Sequence, residues 1–142
     1  MSIHISKMTG KLEGFQAIST NTVSNEYCQK QYKKQDAKNI CTFCYSHNML
    51  NTFRKNMQAS LQRNTDLLNS KVLHPDALPI INNAFFRFNA HGELALDKKQ
   101  GTINLENYVN IAIKNPHCTF SLWTKRFDII KPYFDNHEKP KN

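Results

Sequence analysis

Ala84-Phe85-Phe86-Arg87-Phe88-Asn89-Ala90-His91-Gly92-Glu93, the AFFRFNAHGE stretch over residues 84–93, decides the fold. In an extended chain successive side chains point to opposite faces, so Phe86 and Phe88 share one side while Phe85 and Arg87 share the other. Three aromatic rings in four positions suit a pleated, half-buried surface. Gly92 then permits a tight backbone turn at the strand's carboxyl end. The segment predicts a strand over 84–89 followed by a polar turn, Ala90 to Glu93.

Downstream, Thr102 to Lys114 carries Ile103, Tyr108, Val109, Ala112 and Ile113. That spacing is compatible with a helix, and Asn115-Pro116 ends it. TFSLWT at 119–124 predicts a further strand, Lys125 to Lys131 a short helix, and the polar ending HEKPKN a flexible tail from about residue 133. Upstream, FQAIST at 15–20 predicts the first strand, and Asn21 to Ile40 reads as a long polar loop. Leu50, Phe53, Met57, Leu61 and Leu68 share one face of a single helix over 48–69, which the two prolines within His74 to Pro79 terminate. Strands alternating with helices predict a single α/β domain over residues 1–142, a partial (βα) barrel with about three parallel strands and flanking helices. In such sheets ligands sit at the carboxyl ends of the strands. The polar loop, the His91-Gly92-Glu93 turn and Thr124-Lys125 should converge on that rim.

With 142 residues, nine Phe and five Tyr, the chain can bury a self-supporting core. Nineteen Lys and Arg against eleven Asp and Glu give a formal charge of +8, which favours anionic partners such as nucleic acid. No apolar run approaches the roughly 20 residues that span a bilayer, and the start MSIHISKMTG lacks a signal-peptide core. The expected compartment is the cytoplasm, with no membrane partner.

In a reducing compartment the four cysteines read as metal or redox sites rather than disulfides. Cys28, Cys41 and Cys44 lie in one polar loop, separated by twelve and then two residues, and a C-x2-C pair is spaced to clamp one metal centre. Lys30, Lys33, Lys34 and Lys38 would favour the thiolate forms. If His47 or Cys118 adds a fourth donor, the site is a closed zinc site. If neither does, three thiolates hold an iron–sulfur cluster with one open iron. Cys118, beside an apolar strand, is more simply a small buried residue. Arg87 and Lys125 are long enough to reach the rim, and Tyr108 and Trp123 are expected to pack in the core.

The cysteine loop after the first strand, its closing Cys41-Thr42-Phe43-Cys44 and the His91-Gly92-Glu93 turn resemble the radical S-adenosylmethionine superfamily. That resemblance implies a [4Fe-4S] cluster on Cys28, Cys41 and Cys44, Phe43 near the adenine of S-adenosylmethionine, and Gly92 and Glu93, beside His91, facing its methionine amine. A barrel of that kind has about six strands, so another copy or a partner protein would complete this one. CTFCYSHNML, FFRFNAHGEL and NPHCTFSLWTKR are also similar to a phage-borne family known as gene product 88, over roughly residues 14–126. The two expectations are an iron–sulfur protein of radical S-adenosylmethionine type, active or inactive, in a host cytoplasm, and a zinc-stabilised phage module that binds nucleic acid or a host protein.

Overall fold

The computed structural model describes residues 2–95 and 102–142. Its sheet has the strand order β1 (Ser6–Lys7), β2 (Gln16–Ile18), β3 (Phe85–Phe88) and β4 (Thr119–Leu122). The three expected strands are parallel neighbours, β2 on β3 and β3 on β4. The partial barrel of about three parallel strands is corrected to an open, mixed sheet, because β1 adds an antiparallel edge to β2 and the described strands do not close. That edge strand has no hydrophobic pattern of its own. A hairpin makes it: Gly10 and Gly14 take positive φ, and the Met8 amide donates to the Phe15 carbonyl at 2.9 Å.

The pleat of β3 organises the core. Phe86 and Phe88 point inward, where Phe88 is stacked between Tyr108 and Phe120, with ring centroids 4.4 and 5.0 Å away. Ile18, Leu68, Leu105, Ile111 and Ile129 complete this layer. The described residues form five helices, α1 (Glu26–Tyr32), α2 (Tyr45–Asn51), α3 (Gln58–Ser70), α4 (Ile103–Lys114) and α5 (Phe127–Phe134); α3, α4 and α5 cover this layer, while Met49 and Leu50 of α2 pack with Leu61 of α3 in a second cluster. The order β2-β3-β4 advances in one direction, and right-handed crossovers then put the connecting helices on one side of the sheet. Phe85, Thr119 and Ser121, on the opposite side, are exposed.

Two helical expectations change. The loop over 21–40 contains α1, which Asn25 caps by accepting from the Cys28 amide at 3.0 Å. The single helix over 48–69 is α2, a 3-10 turn at Lys55–Met57 and α3, because the chain leaves helical geometry at Thr52. The Gln58 side chain donates to the Leu50 carbonyl freed by this break, at 2.7 Å. In the tail expected to be flexible, α5 runs to Phe134, and the Asn142 side chain donates to the carbonyls of Ala112, Asn115 and Cys118.

The irregular stretch between α3 and β3 has few backbone partners of its own, and asparagines on or beside α4 supply them. Asn107, fully buried, donates to the carbonyls of Leu68 and Lys71 and accepts from the Leu73 amide. Asn115 likewise accepts from the Ile81 amide and donates to the Pro79 carbonyl. Removing one partner strands the others in a dry environment, which costs about 1–3 kcal/mol for each group. Asn107→Leu, of similar volume, is expected to destabilise the chain by about 2–4 kcal/mol in urea unfolding.

Candidate functional site

Because β2, β3 and β4 run parallel, their carboxyl ends share one rim. The turn after β3 is pressed onto the end of β2: Thr20 donates its amide to the His91 carbonyl at 3.1 Å, and Gly92 donates to Thr22 Oγ1 at 2.8 Å. No other residue fits at 92. Its φ is +81°, and a Cβ there would stand 2.1 Å from Thr20 Oγ1. Ser46, from α2, closes a ring by sharing hydrogen bonds with Thr22 Oγ1 and with His91 Nδ1. Burial, with the positive charges of Arg54 and Arg87, holds the His91 imidazole below its ordinary pKa, so the neutral ring is favoured.

Glu93 is buried, yet each of its oxygens is satisfied. Oε1 accepts from the Leu94 amide and the Thr124 hydroxyl, and Oε2 from the Lys125 amide at 2.9 Å. The carboxylate therefore ties the turn after β3 to the segment after β4. Its backbone carbonyl accepts from Asn25 Nδ2 at 3.0 Å, and Asn25 in turn caps α1.

The three loop cysteines come from three consecutive helical turns. Cys28 lies in the first turn of α1, Cys41 in a 3-10 turn (Ile40–Phe43) capped by Asn39, and Cys44 is the N-cap of α2, its Sγ accepting from the His47 amide at 3.4 Å. All three line one cleft of about 100 Å³ at the rim, with Tyr27, Tyr32, His91, Gly92, Glu93 and Lys125 among its other walls. Lys125 Nζ donates to Cys41 Sγ at 2.9 Å. Burial opposes the Lys125 charge, but the Cys41 hydrogen bond and the negative charges of Cys41, Cys44 and Glu93 raise its pKa above the ordinary value. The Cys28 thiol is pushed up to about 12, first by burial, then by Glu93, Cys44 and Cys41. All four cysteines are free, and among the described residues no three His, Cys, Asp or Glu side chains stand at metal-ligating separation.

The structure thus brings together Cys28, Cys41, Cys44, His91, Gly92 and Glu93. Phe43 stands apart, 67% exposed and outside the cleft walls. Cys118 is also elsewhere: it is buried in the core at the amino end of β4, while Lys125 follows the other end, about 20 Å along an extended chain. His47 does line the cleft, its ring stacked on Tyr32 at 3.7 Å. Tyr108 packs in the core as expected, but Trp123 does not, being 76% exposed. Sequence reasoning passed over Tyr27 and Tyr32. The signal was there once a helix is granted, since Tyr32 lies one turn from Cys28.

A model of the gene product 88 family matches residues 6–142. The chain belongs to the gene product 88 family. This supports a phage protein, and the match covers all of the rim just described. No curated protein and no solved structure matches the chain. No helix among the described residues of this gene product 88 chain is long and apolar enough to cross a membrane.

Two outcomes follow from the geometry of the rim. Gly92→Ala should lower stability by more than about 2 kcal/mol, whereas Gly10→Ala, whose Cβ meets nothing, should cost about 1 kcal/mol, both read from urea unfolding. In metal-free protein near pH 8, Cys28 should stay a neutral thiol and be alkylated by iodoacetamide more slowly than a cysteine in a free peptide, as peptide mass spectrometry would show.

Proposed function

We propose that the rim cleft of this gene product 88 protein holds a [4Fe-4S] cluster on Cys28, Cys41 and Cys44. S-adenosylmethionine would bind beside it, against the cleft wall that His91, Gly92 and Glu93 form. The observation that carries this reading is the arrival of three unpaired cysteines, from three separate helical turns, in one small cleft beside a lysine hydrogen-bonded to one of them. The donor set fits the group. Thiolates are the usual ligands of iron–sulfur clusters, and three of them leave one iron free for an exogenous ligand. When bound, the cluster would supply one-electron reductive chemistry at the sulfonium of the cofactor.

The chain's own residues have definable parts. Cys28, Cys41 and Cys44 bind, and they must close from their present separation and lose their protons as the metal enters. Lys125 offsets part of the negative charge of three thiolates. Tyr27 and Tyr32 limit access of water. Glu93 acts as a positioning residue, because its carboxylate is already held by Thr124 and by the Leu94 and Lys125 amides. It keeps the Gly92 turn and Lys125 in place. Phe43, exposed on the outer side of its turn, has no part in the resting cleft.

One observation favours a second reading. His47 shares the cleft wall, so Cys28, Cys41, Cys44 and His47 offer a four-donor set suited to structural zinc in a non-catalytic module. Metal analysis separates the two. Anaerobic reconstitution with ferrous iron and sulfide should give a brown protein with about four iron and four sulfide per chain. S-adenosylmethionine should then perturb the spin-resonance signal of the reduced cluster. Cys28→Ala, Cys41→Ala and Cys44→Ala should each lose the colour, while Cys118→Ala keeps it. A colourless protein with one zinc per chain, lost in His47→Ala, would replace the cluster with zinc, and a chain that takes up neither metal refutes both.

A further inference from the structure

With the connecting helices on one side, the opposite face of the sheet is left to other contacts. Its residues follow from the pleat: Phe15 and Ala17 from β2 and its approach, Phe85 and Arg87 from β3, and Thr119 and Ser121 from β4, with Trp123 continuing the row. Phe85 is 57% exposed and its ring lies 6.5 Å from that of Phe15. At the rim end, the Arg87 guanidinium stands 5.9 Å from the Trp123 ring centroid. Arg87 Nε is buried without a hydrogen-bond partner among the described residues. Ala17 in the same row is buried, so the exposed part of the face lies over β3 and β4, where Thr119 and Ser121 are open to solvent. Large aromatic rings left in water next to a cation, on a flat face, mark an interaction surface.

Charge selects the occupant. The chain carries +8, and the cations Arg87 and Arg54 both act on His91 at the edge of this face. The acids nearby are already neutralised: Glu93 accepts three hydrogen bonds, and Asp128 is paired with Arg126 at 2.8 Å. A second copy is a poor match. A two-fold pairing of this face puts two copies of Arg87 into one interface, with no acid among the face residues named to offset them.

We propose that the helix-free face of the sheet binds single-stranded nucleic acid, with bases stacked on Trp123 and Phe85 and phosphate held by Arg87. Each base offers a flat π-face, so ring stacking tolerates any sequence, while Arg87 supplies the contact that the backbone charge requires. The inference is independent of which metal, if any, the cleft takes.

Trp123 is the one tryptophan of the chain, so its fluorescence reports on this face alone. Titrating the full chain with oligothymidylate or oligouridylate at low salt should quench that emission saturably, and added salt should weaken binding. Phe85→Ala, a solvent-facing change, and Arg87→Ala should each raise the dissociation constant about tenfold or more with an unchanged circular dichroism spectrum. Trp123→Ala should do the same, read by polarisation of a labelled strand. Ile113→Ala, an exposed residue of α4 outside this face and the cleft, should bind as the parent does. Inorganic polyphosphate or duplex DNA binding as tightly as the single strands would reduce the effect to net charge and overturn the proposal. So would an absence of quenching, or tryptophan emission that instead shifts with protein concentration as a dimer forms.

Discussion

The rim depends on one buried carboxylate. Glu93 is 7% exposed, and an ionised group at that depth is tolerated only when donors replace its water. It finds them in the Leu94 amide, the Thr124 hydroxyl and the Lys125 amide, so the segment after β3 and the segment after β4 are pinned to the same two oxygens. Hydrogen bonds to a charged acceptor are about twice as strong as neutral ones. The consequences spread to both sides of the cleft. Fixing the Lys125 backbone aims its ammonium at Cys41, and the Glu93 carbonyl holds Asn25, whose side chain starts the helix that carries Cys28.

The same charge also bears on the thiols. Burial first, and then the nearby Glu93, Cys44 and Cys41, make Cys28 resist ionisation and keep its thiol protonated. A thiol in that state is a poor nucleophile and a poor ligand until a cation arrives to take the place of the proton. On the proposed reading, metal binding by Cys28 would release its proton, and the three thiols would have to draw closer than they stand at rest.

How much of this the sequence displayed depends on what each element rests on. β2, β3, β4 and α4 are written in apolar alternation and periodicity, and Asn115-Pro116 marks the end of α4 plainly. β1 is not, since two polar residues become a strand only through the hairpin that delivers them. α1 was hidden for a related reason: its seven residues contain no buried side chain, and its start is fixed by Asn25, a partner of Glu93 far along the chain. The apolar spacing ran on through Thr52, so it could not reveal the break between α2 and α3, which leaves Phe53 exposed instead of on the helix stripe. Of the site, the reactive types were legible: the cysteines, His91, Gly92 and Glu93. The aromatic walls were not, because Tyr27 and Tyr32 join them only once the polar loop is helical. Trp123 was misjudged as core because strand residues ordinarily have cover on both faces, and here one face has none.

That one-sidedness links the two surfaces. Arg87 lies on the uncovered face four residues before His91, and His91 lies in the wall of the cleft, so face and cleft meet at the carboxyl end of β3. The neutral imidazole of His91, held by Ser46 and flanked by Arg54 and Arg87, sits at the boundary. A strand bound to the uncovered face as proposed would run toward the rim where the cysteines are gathered.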